Sequence, residues 1–464
     1  MRLLLSLREL LNRSSFQKIR LPVILFALTV LLLGSVAVYQ VIGDRIHVRG
    51  TIISLFLKQP DQIHLAWDGN SANSINLRWH TRRIYTPSVV GYRQLGESEW
   101  KMAVGHQNFS GSNGARHEVE LRNLLANSTY EYRLKGDRLQ GFWSDTFELR
   151  TSPPIGESDF DAIYFADTGL IGRRDGLGTG VEKIIEAIAA QHPLLTLAGG
   201  DYAYYNTDKR YGSLEASIDV WLNQMAPVFT RSVVMPTYGN HETQLQENMT
   251  PWANRFAIPD NALNRGNYSF DVGNAHFVSV FAVFEQQGLE PQALDWIRQD
   301  ILAAQAAGQT WIIPFMHVSA FAEGASHPSN LALRSQLGPL FESLGVKLVL
   351  SSHDQAFERT YPLVDVPEKN RPTSQSKTCY TMEDGVTWLK TSPSGKESNK
   401  SGSFSIFKAD PSPWVAVRDN TMHVFTKLHF SAENLAVETF GVRGDGQPPV
   451  VLDSFEYTQN QCAA

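Results

Sequence analysis

The chain has 464 residues, 42 % hydrophobic and 19 % charged, with a formal net charge of −6 and only two cysteines, Cys379 and Cys462. That composition excludes a disordered chain, a repeat array and a cysteine-rich zinc scaffold, and the length allows two or three domains. Residues 1–20 hold five Lys/Arg against one Glu, leaving 36 basic and 46 acidic residues, a body near −10 that does not read as a binder of nucleic-acid duplexes.

Arg2, Arg8, Arg13, Lys18 and Arg20 precede an uncharged run from Leu21 to Gly43. As a helix these 23 residues would span about 34 Å, enough for a hydrocarbon core of about 30 Å, and the positive flank keeps the short tail in the cytoplasm. Residues 1–45 are therefore expected to be a tail plus a membrane anchor. The alternative is a signal peptide cleaved near Ser35-Val36-Ala37. Either way the body lies outside the cytosol, membrane-anchored or secreted. The two cysteines could then form one disulfide, with two free thiols as the other reading.

Residues 46–152 read as an all-β module. Ile63–Trp67, Ile75–Trp79, Val89–Tyr92, Val119–Leu121 and Tyr130–Leu134 alternate or nearly so between Gly/Asn/Ser clusters, a spacing that suits a small β-sandwich. Leu121, Leu124, Thr129 and Tyr130 resemble the Leu…Thr-x-Tyr pattern of fibronectin type III folds. Thr151–Pro154 reads as a linker, and the sandwich itself is assigned no chemistry.

In residues 153–464 strands alternate with helices. Val181, Ile184, Ile185 and Ile188 share one helical face, as do Leu294, Ile297 and Ile301, and Leu333, Leu337, Leu340 and Leu344. This alternation implies a parallel-type sheet with helices outside it. Beyond Pro362 a polar, loop-rich stretch runs to about Gly402. The strands expected at Met422–Phe430, Leu435–Gly441 and Val450–Tyr457 are taken to complete a second sheet.

Five strands in this region end in the same kind of residue. Ala162–Ala166 runs into Asp167, Leu195–Gly200 into Asp201, Val233–Tyr238 into Asn240 and His241, Trp311–Met316 into His317, and Lys347–Leu350 into His353. Any one of these alone is a turn residue, a helix cap or a hydrogen-bonded core histidine. Five strands delivering Asp, Asp, Asn/His, His and His to one edge point to a metal centre. Apart from these three and His327, the other nine histidines, such as His64, His117 and His276, are expected to be structural.

Asp167-Thr168-Gly169, Gly200-Asp201-x-x-Tyr204, Gly239-Asn240-His241-Glu242, His317 and Ser352-His353-Asp354-Gln355 occur in the order used by calcineurin-like metallophosphoesterases. The Asp-x-Gly first motif, the Tyr in Gly-Asp-x-x-Tyr and the run Ala356–Pro362 resemble the purple acid phosphatase branch. The resemblance spans roughly residues 55–457. It implies a four-layer α/β (α+β) sandwich behind the β-module and a site for two metal ions. Asp167, Asp201, Tyr204 and the position of Gln355 would form the first metal site, a hard anionic set suiting Fe(III). Asp201, as a bridge, would share the second with Asn240, His317 and His353, suiting Zn, Fe(II) or Mn(II). His241 would protonate the leaving alkoxide or hold a phosphate oxygen, and His327 matches a substrate-contacting position.

One residue departs from the family pattern. The family ends this motif Gly-His-x-His, and Gln355 stands where the second histidine would ligate the first metal, offering only a neutral amide oxygen. The substitution either weakens that site or completes an all-oxygen cage. The resemblance implies hydrolysis of small phosphate monoesters by a metal-activated hydroxide. Phosphodiester or nucleotide cleavage by the same centre is one alternative, and a catalytically silent surface binding protein is another. The loops that would read a leaving group, residues 173–180 and 320–330, carry no interpretable pattern.

Overall fold

The computed structural model describes residues 60–462 apart from 83–85, 109–113, 138–141, 244–248, 260 and 408–409. The expected anchor or signal at Leu21–Gly43 lies outside the described residues. Among those described, no helix is long and apolar enough to cross a membrane. Gln59–Lys209 and Ser213–Ala464 group into one unit, and every contact discussed below lies inside it.

The first module contains β1 (Asp61–Ala66), β2 (Ile75–Thr81), β3 (Val89–Gln94), β4 (Lys101–Val104), β5 (His106–Asn108), β6 (Ala115–Leu121), β7 (Thr129–Asp137), β8 (Phe142–Trp143) and β9 (Phe147–Arg150). Period-two sequence does the sorting: β6 alternates buried and half-buried residues along its length, which puts one face in a core and the other toward polar surroundings. Leu65, Leu77, Trp79 and Val119 from one sheet pack with Val90, Tyr132, Leu134 and Leu149 from the other.

After Pro154 come β10 (Phe160–Phe165), α1 (Val181–Ala190), β11 (Leu195–Ala198), α2 (Leu214–Gln224), α3 (Ala226–Phe229), β12 (Val233–Pro236), α4 (Asn240–Thr243) and α5 (Thr250–Ala253). A second run follows: β13 (Tyr268–Val272), β14 (Ala275–Ser279), α6 (Pro291–Ala306), β15 (Trp311–Val318), α7 (Leu331–Ser343), β16 (Leu348–Ser352) and β17 (Phe357–Thr360). The chain closes with the two-residue β18 and β19 (Leu363–Val364 and Arg371–Pro372), then β20 (Cys379–Thr381), β21 (Thr387–Lys390), β22 (Val415–Asp419), β23 (His423–Phe430), β24 (Asn434–Val442) and β25 (Val450–Thr458).

Two large sheets result. One has eleven strands in the order β20-β25-β24-β23-β10-β11-β12-β1-β2-β6-β5, and the other seven in the order β13-β14-β15-β16-β21-β17-β22. Strands β10, β11 and β12 are mutually parallel, as are β14, β15 and β16. Strands β11, β12, β15 and β16 are buried end to end, as strands covered on both faces must be. The facing surfaces share one core, in which Tyr164, Leu197 and Leu428 meet Phe277, Phe315 and Leu350. The other face of the second sheet packs Ile312, Met316 and Val349 against Ile297 and Ile301 of α6 and Leu337 and Phe341 of α7.

Three differences from the sequence reading stand out. The C-terminal strands β23–β25 do not build a second sheet but extend the first, because β23 pairs antiparallel with the free edge of β10. The polar stretch after Pro362 contains β20 and β21, and β21 is buried between β16 and β17. The first module is not separate in its hydrogen bonding, since β1 pairs in parallel with β12. Cys379 and Cys462 form a disulfide that fastens the C-terminus to β20.

His276 on β14 shows how a buried histidine can set a pH limit. Its Nδ1 lies 2.8 Å from Asp271 and its Nε2 2.9 Å from Asp300 of α6. Burial alone would lower its pKa, but the hydrogen bonds to both carboxylates raise it to about 9 from 6.5. A raised folded-state pKa gives stability that is complete below pH 6.5 and lost as pH climbs through 9, worth about 3 kcal/mol here. The urea midpoint of the wild type is expected to fall across that window, while that of His276→Asn stays flatter. Equal slopes for the two proteins would refute the assignment.

Candidate metal centre

The strands deliver their terminal residues to a common edge. Asp167 follows β10, Asp201 follows β11, Asn240 begins the single turn α4 after β12, His317 sits near the end of β15 and His353 follows β16. The backbone is unusual there: Asp167 (φ 55°), Asp201 (55°), Tyr204 (52°) and His353 (77°) all occupy the left-handed region that non-glycine residues seldom adopt. Such outliers persist where surrounding contacts over-determine them, and they concentrate at functional sites. Ser352, where the family pattern has glycine, is not among them, so its side chain costs nothing. Close approach explains two glycines instead. A Cβ on Gly200 would lie 2.5 Å from Gly239 N, and one on Gly239 would lie 2.1 Å from Asp201 Oδ1.

The donor atoms converge. One ligand-type atom each from Asp201, His317 and His353 lies within 4.8 Å of the others. His317 Nε2 is 3.3 Å from Asp201 Oδ2 and 3.0 Å from His353 Nδ1. His317 Nδ1 meets Gly199 O at 2.8 Å, which makes Nδ1 the protonated nitrogen and frees Nε2 to ligate. Burial disfavours the Asp201 charge, yet His317, His241 and His353 hold its pKa well below the usual carboxylate range. Burial and the neighbouring Asp201 push Asp167 the other way.

Around Asp167 the fit to a cation rests on orphaned oxygens. Tyr204 donates its phenol to Asp167 Oδ1 at 2.9 Å, and Ser392 Oγ and the His353 amide reach Oδ2 at 2.9 and 3.2 Å. Gln355 Nε2 donates to Asp167 Oδ1 at 3.2 Å and to His353 O at 2.8 Å. Two acceptors at Nε2 fix the amide orientation and leave Oε1 buried with no partner among the described residues, and Asn240 Oδ1 is equally orphaned among them. Buried amide oxygens without donors are rare, and a cation satisfies them. The donor set therefore fits two metal ions: Asp167, Asp201, Tyr204 and Gln355 could hold one, and Asp201, Asn240, His317 and His353 the other. Of the three tyrosines in this loop only Tyr204 reaches the site. Tyr202 packs on Trp221 and Trp252, and Tyr205 lies under Lys209.

The expected substrate-side histidines stand beside this cluster. His241 Nδ1 meets Asn206 Oδ1 at 2.5 Å, its ring packs 4.2 Å from that of Tyr204, and its Nε2 is 3.7 Å from Asp201 Oδ2. Burial outweighs Asp201 and lowers its pKa to about 4. His327 packs its ring 3.9 Å from that of His353.

Several residues that sequence reasoning left without a role belong to the same edge. Glu242 receives the backbone amides of Asp201, Tyr202 and Gly239 at 2.7 to 2.9 Å, tying two motif loops together. Its position in Gly-Asn-His-Glu was visible in the sequence, but nothing there signalled its partners. Glu285 collects His327 Nδ1, His353 Nε2 at 3.3 Å and Lys400 at 3.2 Å. Lys396 lies 4.4 Å over the Tyr204 ring, its pKa lowered to about 8 by burial and then by Arg173. Ser392, Lys396 and Lys400 come from the polar stretch that had read as loop.

Carboxylates, amides and imidazoles delivered by parallel strand ends of two sheets are a donor set of the kind that metal-dependent hydrolases use. Residues 60–151 match the family model "Purple acid Phosphatase, N-terminal domain", and residues 163–357 match "Calcineurin-like phosphoesterase". Acid phosphatase type 7 from Homo sapiens is 26 % identical over 80 % of this chain and 84 % of its own length. Purple acid phosphatase 18 from Arabidopsis thaliana is 23 % identical over 78 % of this chain and 76 % of its own length. Among solved structures, a purple acid phosphatase from yellow lupin (Lupinus luteus) seeds shares the fold, with a TM-score of 0.71 at 21 % identity over 86 % of this chain and 74 % of that one. The chain is a purple acid phosphatase-like member of the calcineurin-like metallophosphoesterase superfamily, and a hydrolase.

Proposed function

We propose that the protein hydrolyses phosphate monoesters outside the cytosol, using two metal ions held by Asp167, Asp201, Tyr204 and Gln355 and by Asp201, Asn240, His317 and His353. The observation that carries this reading is the pair of buried amide oxygens, Asn240 Oδ1 and Gln355 Oε1, that have no partner among the described residues and lie beside two buried carboxylates. Gln355, which by sequence alone also motivated a silent surface protein, thus supports a ligand role. When bound, the cations supply Lewis-acid stabilisation of a phosphoryl group and a water of lowered pKa.

The chain's own residues do the rest. Asn206 anchors His241 through Nδ1, which leaves Nε2 to hold a phosphate oxygen or deliver a proton to the leaving alkoxide. His327, held by Glu285, bounds the site on the side of His353. Lys396 adds positive charge that favours a dianionic monoester over a monoanionic diester. Cleavage of diesters or nucleotides by the same centre remains the alternative. The Cys379–Cys462 disulfide supports an oxidising compartment.

A generic aryl phosphate and its diester counterpart, assayed side by side with the purified protein after loading with Fe, Zn or Mn, test the reading. Faster monoester hydrolysis is expected, and a diester preference would overturn it. Metal identity has a separate test. An oxygen-rich first site with the Tyr204 phenolate suits Fe(III). The iron-loaded protein is then expected to show a visible phenolate-to-iron absorption that disappears in Tyr204→Phe. A colourless, fully active protein containing only Zn or Mn would refute the iron assignment.

A further inference from the structure

A second polar concavity, built by elements other than the metal-site strand ends, lies between the first module and the segment after α5. Its volume is about 210 Å³, on the order of seven water volumes. One wall is the polar face of the β2-β6-β5 sheet. In that register Arg78 pairs across from Glu118, and Arg116 from both His80 and Asn108, so these side chains share the face opposite the sandwich core. The other wall is Asn254, Arg255, Phe256 and Arg265. His106, Asn108 and Arg265 are exposed at its rim, giving access from solvent.

The arginines differ in how they are held. Arg78 is fixed by Glu118 at 2.6 Å, and Arg255 by Glu215 and Asp219 at 2.5 and 2.8 Å. Arg265 donates to the Ala253 carbonyl at 2.9 Å. For Arg116 the described residues supply no hydrogen-bond partner to its buried Nη1, and the Nε atoms of Arg78 and Arg255 are likewise buried and unpaired. Burial and Arg255 both act against the Arg116 charge and lower its pKa, with Glu215 and Asp219 offsetting part of this. Among the described residues Arg116 forms no ion pair, and Glu215 and Asp219 are engaged by Arg255. The two buried histidines of the lining do not add to the charge, because burial drops His64 and His117 to about 4 and leaves them neutral.

We propose that this cavity binds a tetrahedral oxyanion of the phosphate class, with Arg116 as its principal contact and Arg78 and Arg255 completing the cradle. Donors arriving from two opposed walls suit an anion whose oxygens point in several directions. A planar carboxylate is instead matched by one guanidinium in a two-pronged pair. Arg116 supplies the uncompensated charge, and the paired arginines supply directed N–H groups without needing to move. The site is independent of the metal cluster, so it stands or falls separately from the proposed monoesterase activity.

Inorganic phosphate, titrated calorimetrically into the metal-loaded full chain, tests this. Two classes of site are expected in the wild type. Asp201→Asn is expected to lose the class at the metal centre and keep the other. Arg116→Gln is expected to weaken the cavity class by about 10- to 100-fold, the loss of a charge-assisted pair, while the phosphate inhibition constant for aryl phosphate hydrolysis stays at its wild-type value. Arg116→Lys keeps the charge but not the fork. It serves if the glutamine variant melts early in phosphate-free buffer, and at least a tenfold weakening is expected for it as well. Absence of any class of site that survives Asp201→Asn, a surviving class unchanged in the folded Arg116 variant, or acetate binding in the cavity as tightly as phosphate would each overturn the proposal.

Discussion

Asp201→Asn is expected to cut aryl phosphate turnover by at least about 10³-fold and to lower the retained metal from two ions towards one or none. Asp201 is the one residue common to both proposed ligand sets. Its Oδ2 faces His317 at 3.3 Å and His241 at 3.7 Å, while Oδ1 accepts the His241 backbone amide at 3.0 Å. Asparagine preserves the size and the amide contact but removes the negative charge that balances the cations. Losing several kcal/mol of electrostatic stabilisation at the reacting centre gives a rate loss of about that size. Metal content by elemental analysis, read beside kcat, separates loss of the ion from loss of a proton donor. A variant that retains two ions and more than a tenth of wild-type turnover would remove Asp201 from the bridge.

The second large effect is on stability. Arg359 on β17 is fully buried, and its Nε and Nη2 reach the two oxygens of Asp453 on β25 at 2.5 and 2.8 Å. Nη1 reaches Tyr380 OH at 2.6 Å and Nη2 also reaches Lys377 O at 2.9 Å. This fork joins the second sheet, just after the His353–Gln355 turn, to the C-terminal edge of the first. Arg359→Met leaves Asp453 buried without its partner, which costs about 3–5 kcal/mol. Lysine is not expected to rescue, because it cannot make the two-pronged contact. Arg359→Met/Asp453→Leu is expected to recover much of the loss, since an apolar pair leaves no charge stranded. Urea unfolding at fixed metal load measures all four proteins. A loss below 1 kcal/mol in the single variant would mean that the pair contributes little.

The sequence by itself determined which residues the strand ends carry to one edge. Short apolar runs ending in Asp167, Asp201, Asn240, His317 and His353 were legible because a buried parallel strand must be apolar and must stop where the chain turns into a loop. The all-β first module was legible from alternation, and helices α1, α6 and α7 from their apolar faces. Helix α2 was missed because Ser217, Ile218, Trp221 and Leu222 make a mixed buried face; the β13–β14 hairpin was not read although Tyr268, Phe270 and Val272 alternate with Ser269 and Asp271. Only the tertiary structure decided which sheet the last strands join, that β1 continues the sheet of β12, and that Glu242, Glu285, Ser392 and Lys396 stand around the donors. Those are pairings between residues tens to hundreds of positions apart. The free energy of such a contact depends on what the rest of the fold has already brought near, and local residue pattern carries no record of it.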